Sequence, residues 1–349
     1  MKRFFIYLVF LVIVSILTLY LLGTFGARIE WKRVLNFFSE NPWGYFGVLS
    51  LAFSWFFDAS ITYVLINKMI KIPFSFSKSF KMSIIGIFFN KLSPASTGGS
   101  IFQIAYLRKN GINLGSSVSI VELRYIIKQI AMLLIASIGF TTAFLITDRS
   151  PLTFFLMILG LIFSMSGISF LILIAASHRI RDFILKLTKW MIDFLGFSKK
   201  MKPKIPVWKE KMEKEFDNYA NSVKIISQNW PITFFAFSLA FLSAIGHLFL
   251  AFAAIQSFGI FENIPKGIWD VLAVQAVATM IIYLSPTPGS SGTAEGGFYL
   301  FFTPLVPMKF LSTVTLEWRI LSYFIPLALS GVIFFLSSIH KMLFDHNGK

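Results

Sequence analysis

Along the 349 residues, apolar runs long enough to cross a bilayer alternate with short polar joints. A hydrocarbon core needs roughly 20 apolar residues in helix. Runs of that length fall at Phe4–Gly23, Gly44–Ile66, Val118–Thr147, Leu152–Ala176, Ile232–Phe258 and Thr315–Ser338. Two more apolar segments are broken inside, Ser79–Leu107 by NKLSPASTGGS and Ile268–Phe302 by SPTPGSSGTAEGG. Proline and clustered glycine stop a helix, so helices are expected to restart at Gly99–Leu107 and Thr293–Phe302. The pattern predicts an all-α polytopic membrane protein with about six full transmembrane helices and two re-entrant broken-helix hairpins.

Charge orients this plan. Lys and Arg total 32 against 16 Asp and Glu, and they gather at 2–3, 68–81, 108–109 and 177–230, whereas Thr147–Pro151 and Gly259–Asp270 carry few. Under the positive-inside rule both termini lie in the cytoplasm, in the inner membrane of the cell. One hairpin then dips from the cytoplasm and the other from outside. A net charge of +16 would also suit nucleic acid, but the basic residues sit between apolar runs, so no nucleic-acid partner is expected. The N-terminal run exceeds a signal-peptide core and no small-residue cleavage site follows, so it reads as a retained helix. Between Pro151 and Trp230, residues 177–230 carry an amphipathic stretch, Ile180 to Leu195, and read as a cytoplasmic connector.

The two interruptions match. Leu92-Ser93-Pro94 and Leu284-Ser285-Pro286 are each followed by small residues and glycine, then at similar distance by Glu122-Leu-Arg124 and Glu317-Trp-Arg319. Matched order suggests duplication: a first repeat over 44–176 and a second, inverted one over 231–340, within a single integral membrane domain of 1–349. Paired broken helices in opposed repeats mark substrate sites of transporters.

Helix restarts present unpaired N–H groups that favour anions. Asn90, Ser93, Thr97, Gly98 and Gly99 in the first break, and Gly289, Ser290, Ser291 and Gly292 in the second, are therefore candidate substrate contacts, with Arg124 and Arg319 as buried cations that suit phosphate. Glu122, Glu295 and Glu317 would balance charge or couple an ion; Glu295 would pair with Arg319 or Arg124, while Glu122 and Arg124, two apart on a helix, do not face each other. Both arginines also fit a purely structural role in ion pairs. Lys91 would draw an anion from the cytoplasm, Asp58 and His247 lie inside spans, and Gln103 and Gln275 suit interhelical hydrogen bonds. Cysteine is absent, which excludes thiolate metal sites and cysteine nucleophiles, and there is no Walker A, HExxH, GxSxG or DxD sequence. No metal, cofactor or reaction on soluble substrates is expected.

These residues resemble a known family. Asn90-Lys-Leu-Ser-Pro94-Ala-Ser-Thr-Gly98-Gly99, Glu122-Leu-Arg124, Pro286-Thr-Pro288-Gly-Ser-Ser-Gly292-Thr-Ala-Glu295-Gly296 and Trp318-Arg319 are similar to the motifs of the flippase-like transmembrane family related to the membrane half of lysylphosphatidylglycerol synthase, the multiple peptide resistance factor. Departures are Ser290 for a usual glycine, Leu123 between Glu122 and Arg124, and Trp318 for tyrosine. The resemblance implies a lipid flippase for an anionic, aminoacylated or polyprenyl-linked lipid. It also implies no lysyl-transfer reaction, since the chain ends at Lys349 without the synthase's soluble domain. Two alternatives stay open, an ion-coupled transporter of a small anionic solute and an accessory subunit of a lipid-modifying pathway. The expected partner is a membrane phospholipid, with a homodimer left open.

Overall fold

The computed structural model describes residues 29–93, 97–147, 150–176, 228–259, 267–282 and 285–337, with isolated positions elsewhere. The expected helix Phe4–Gly23 and the amphipathic connector lie outside the described residues. Every regular element among those described is helical. The chain is an integral membrane protein: four helices, Trp43–Lys68, Leu114–Ile146, Trp230–Gln256 and Met308–Leu336, are long and apolar enough to cross a bilayer.

In chain order, a short helix α1 (Trp31–Leu35) precedes α2 (Trp43–Val64), which runs on through a π-helical turn, Leu65–Ile70. Asn67 closes that end by a reciprocal clamp, its side chain donating to the Phe74 carbonyl at 2.8 Å and accepting from the Phe74 N–H at 3.0 Å. Ser75 caps α3 (Phe76–Leu92) by accepting from Lys78 N–H. After the first break the chain turns back as α4 (Gly98–Lys109), which packs along α3. Asn113 then caps α5 (Leu114–Ile146) through Ser116 N–H, and α6 covers Pro151–Ala176.

The second half repeats the order: α7 (Trp230–Gln256), α8 (Ile268–Ile282), the second break with a single 3-10 turn at Pro288–Ser290, and α9 (Thr293–Phe302) returning against α8. A last long helix follows as α10 (Met308–Arg319), a π-helical turn (Ile320–Phe324) and α11 (Ile325–Leu336). The apolar run read from the sequence starts at Thr315, whereas the helix starts at Met308; Ser312 and Thr313, polar positions ahead of that run, are buried in the interior, as is Thr315.

The core forms around α2 and α7. They meet over small residues: Ser54 Oγ donates to the Ser243 carbonyl at 2.9 Å and Ser243 Oγ to the Ser54 carbonyl at 3.0 Å, while Ser50 Oγ donates to the Gly246 carbonyl at 2.8 Å. Small residues let backbones approach and hydroxyls hold them, as between helices in lipid generally. Helix α8 is buried on every side from Asp270 to Ile282, wedged among α5, α6, α7 and α9. Its crossing with α5 is close enough that a methyl at Gly139 would collide with Ala273.

Candidate functional site

The two breaks are built from short-range bonds. At the first, Asn90 Oδ1 accepts from Gly99 N–H at 2.8 Å and Ser93 Oγ accepts from Gly98 N–H at 2.7 Å. The start of α4 is thus capped by the chain itself, and these donors, expected to meet a substrate, are already taken. The second break is similar. Thr293 Oγ1 donates to Ser285 Oγ at 2.7 Å, Ser285 and Thr287 share a 2.7 Å hydroxyl contact, and Thr287 Oγ1 donates to the Ser291 carbonyl at 2.8 Å. Glu295 Oε2 accepts from Gly292 N–H at 2.7 Å, closing the start of α9.

Backbone geometry explains the sequence of the turn. Gly289 has φ 60° and Gly292 φ 89°, and a side chain at Gly289 would strike the Tyr323 ring. Ser290 also adopts positive φ, 55°, the region where glycine is at ease. A serine there holds the turn at some conformational cost, which gives the departure from glycine at this position a physical meaning.

The arginines pair differently. Arg319 Nε forms an ion pair with Glu295 Oε1 at 2.9 Å, its Nη1 donates to the Gly289 carbonyl at 3.3 Å, and its guanidinium lies 4.4 Å from the centre of the Tyr323 ring. Glu295 is 0% and Arg319 3% exposed. Among the described residues Arg319 Nη2 has no hydrogen-bond partner. Arg124 instead pairs with Asp58 of α2, which also accepts from Lys128 Nζ at 2.6 Å, and reaches Ser83 Oγ at 3.3 Å. Of the two pairings open to Glu295, the structure makes the one with Arg319. Glu317 takes part in neither arginine's ion pair and accepts from Ser257 Oγ at 2.5 Å. Glu122 is half-buried and, as its spacing requires, not joined to Arg124.

A cavity of about 60 Å³ opens where the halves meet. Lys91 reaches it from the end of α3, Gly289 and Ser290 from the second break, His247 from α7, Gln275 and Thr279 from α8, and Arg319 and Ser322 from the last helix. Arg124 does not line it. Lys91 is a residue whose place the sequence did hint at. Pro326 has no N–H to give the carbonyl of Ser322, four residues back, and Lys91 Nζ donates to that carbonyl at 2.8 Å. Lys91 Nζ also lies 5.7 Å from the Tyr323 ring centre. One lysine thereby ties the tip of the first hairpin to a defect in the last helix. Asn90, Ser93, Gly98 and Gly99 support that tip; Ser291, Gly292 and Glu295 support the opposite one.

The family model described as lysylphosphatidylglycerol synthase TM region matches residues 7–330. The chain belongs to this family. Comparison with curated proteins returns no match. The matched range takes in both hairpins, both arginines and every residue of the cavity. No group of three or more His, Cys, Asp or Glu that would hold a metal ion occurs among the described residues.

Proposed function

We propose that this member of the family is a lipid translocase that moves a phospholipid or polyprenyl-linked lipid between the leaflets of the cell's inner membrane, without carrying out a reaction of its own. The observation that carries this reading is the cavity between the two helix breaks, lined by Lys91 and by Arg319, whose Nη2 has no hydrogen-bond partner. Burying cations costs free energy unless something compensates them, and a headgroup phosphate is a guest that would. A cavity of about 60 Å³ has room for several waters or a small oxyanion, so acyl chains would remain in the lipid.

Element lengths support the re-entrant plan. At 1.5 Å per residue, the 17 residues of α3 and 12 of α4 reach about 26 and 18 Å, and the 15 of α8 and 10 of α9 about 23 and 15 Å, against a core of about 30 Å. Counting Phe4–Gly23 and α6 with the four qualifying helices gives six full spans and cytoplasmic termini. The α2–α7 crossing supports an inverted repeat. Ser50 meets Gly246 and Ser54 meets Ser243, so the helices run antiparallel. The Ser54–Ser243 bonds are reciprocal, as contacts on a two-fold axis must be.

The test is a proteoliposome assay with tail-labelled fluorescent phosphatidylglycerol and external dithionite. The full chain should speed exchange between leaflets over empty vesicles. Lys91→Ala should slow it by about tenfold, the scale of one lost charge-assisted contact. A wild-type rate equal to that of empty vesicles would overturn translocation; an unchanged rate in Lys91→Ala would remove the cavity from the path.

A further inference from the structure

The wall of the cavity carries charge of one sign. Lys91 and Arg319 line it, and among the described residues no Asp or Glu does. The one carboxylate beside it, Glu295, is fully buried and spent on Arg319 and on the N–H of Gly292. Two cations and one carboxylate leave a single positive charge uncompensated. His247, the remaining titratable group facing the space, brings no negative charge in either protonation state.

The free hydrogen-bonding atoms are just as selective. Arg319 Nη2 is an unpartnered donor, and Lys91 Nζ has donors to spare beyond the Ser322 carbonyl. Gln275 Oε1 is an unpartnered acceptor on a residue only 1% exposed, and Ser322 Oγ is buried and unpartnered as well. A phosphodiester monoanion satisfies the donors and neutralises the wall, and a hydroxyl on its outer substituent satisfies Gln275 Oε1. An ammonium would find only a neutral amide and a hydroxyl, too little to replace its water.

We propose that the site selects headgroups with one net negative charge and a neutral hydroxylated substituent, and discriminates against aminoacylated headgroups. This rests on the translocase reading of the same cavity and narrows it, since that reading alone admits either lipid.

The experiment uses the full chain in proteoliposomes with tail-labelled phosphatidylglycerol, lysyl-phosphatidylglycerol and phosphatidylcholine, which leave the headgroups intact. Phosphatidylglycerol should move fastest and the lysyl lipid slowest, about tenfold apart. A lysyl lipid moving equally fast or faster overturns the proposal. Labelled glycerol 3-phosphate is offered in parallel, and its uptake without lipid movement overturns the lipid class. If no lipid moves, translocation alone fails, and native mass spectrometry with equimolar lipids decides the preference: mainly phosphatidylglycerol adducts support it, equal or mainly lysyl adducts overturn it. Lys91→Glu should turn the preference toward the lysyl lipid and Lys91→Gln should bring the two lipids toward parity, while Lys78→Gln, exposed outside the cavity, should keep the wild-type order. Lys91→Gln protein that is monodisperse yet retains the full preference overturns the proposal.

Discussion

Both halves place an arginine two residues after a glutamate on the long helix that follows a hairpin, yet they neutralise it from different directions. Arg124 draws its carboxylate from α2, as Asp58, with Lys128 sharing it. Arg319 draws its own from the helix that restarts after the break, as Glu295. Aligning the breaks at Ser93 and Ser285 sets Gln103 opposite Glu295; aligning Ser54 with Ser243 sets Asp58 opposite His247. The acid has changed element between the halves. In the first it fastens two spanning helices away from the cavity. In the second it fastens a hairpin tip beside the cavity that Arg319 lines, and one guanidinium nitrogen is left without a hydrogen-bond partner. A charge repeated by the sequence has become a structural tie on one side and a cation lining the cavity on the other.

The largest effect should come from breaking the second pair. Glu295→Gln leaves Arg319 buried at 3% exposure with no opposing charge, and the one amide oxygen that remains cannot serve both Arg319 and the Gly292 N–H. Removing one partner of a buried pair costs about 3–5 kcal/mol, so the variant should lose most of its folded population in detergent by fluorescence-detected gel filtration after heating. Glu295→Gln with Arg319→Leu removes both charges and should recover much of the loss. A double variant no more stable than the single would show that the two residues are not coupled.

The first pair should break more gently. Lys128 has a side chain 43% exposed, so that cation is not sealed in the interior, and Arg124 keeps Ser83 Oγ. Asp58→Asn should therefore cost roughly 1.5–3 kcal/mol, the range for a hydrogen bond to a charged group, read as a fall in thermal midpoint, with lipid movement retained. Adding Gln103→Glu sharpens the comparison. The Gln103 amide donates to the Met82 carbonyl, next to the Ser83 that Arg124 reaches, so a carboxylate there copies the arrangement of the second half and should restore part of the midpoint. No restoration would mean that position 103 does not face Arg124 as Glu295 faces Arg319.

Much of this frame was legible because the signals are local. Proline, glycine and serine located both breaks, and the restarts came at Gly98 and Thr293 against an expected Gly99 and Thr293. Among the described residues the long helices were legible from hydropathy, except that the polar positions Ser312 and Thr313 hid the start of α10. The site was legible in its cast but not in its pairings. Asp58 and Arg124 lie 66 positions apart, and Lys91 and Ser322 lie 231 apart; no periodicity joins such residues, because their meeting depends on which helices cross. The expectation of open N–H groups at the restarts failed for Gly98, Gly99 and Gly292, since Ser93, Asn90 and Glu295 are near enough in sequence to cap them. With those donors satisfied, the proposed recognition rests on Lys91 and Arg319, which line the cavity.

The glutamates that precede the arginines complete the comparison, and they should matter least. Glu122 is half-buried, whereas Glu317 of α10 is fully buried and meets the residue just after α7, taking one bond from Ser257 Oγ while its Oε1 has no partner among the described residues. Arg33 is near, but it donates to the Ser257 carbonyl at 3.0 Å and lies over the Phe258 ring at 3.9 Å, so it does not hold Glu317 as Arg319 holds Glu295. Glu317→Gln keeps an oxygen for Ser257 and removes a carboxyl that lacks an ionic partner. Its cost should be about 1 kcal/mol or less, a small shift of the thermal midpoint beside the collapse expected for Glu295→Gln. A loss as large as that of Glu295→Gln would mean that Glu317 is ionised against Arg33, and Arg33→Gln would then rescue it as Arg319→Leu rescues Glu295→Gln.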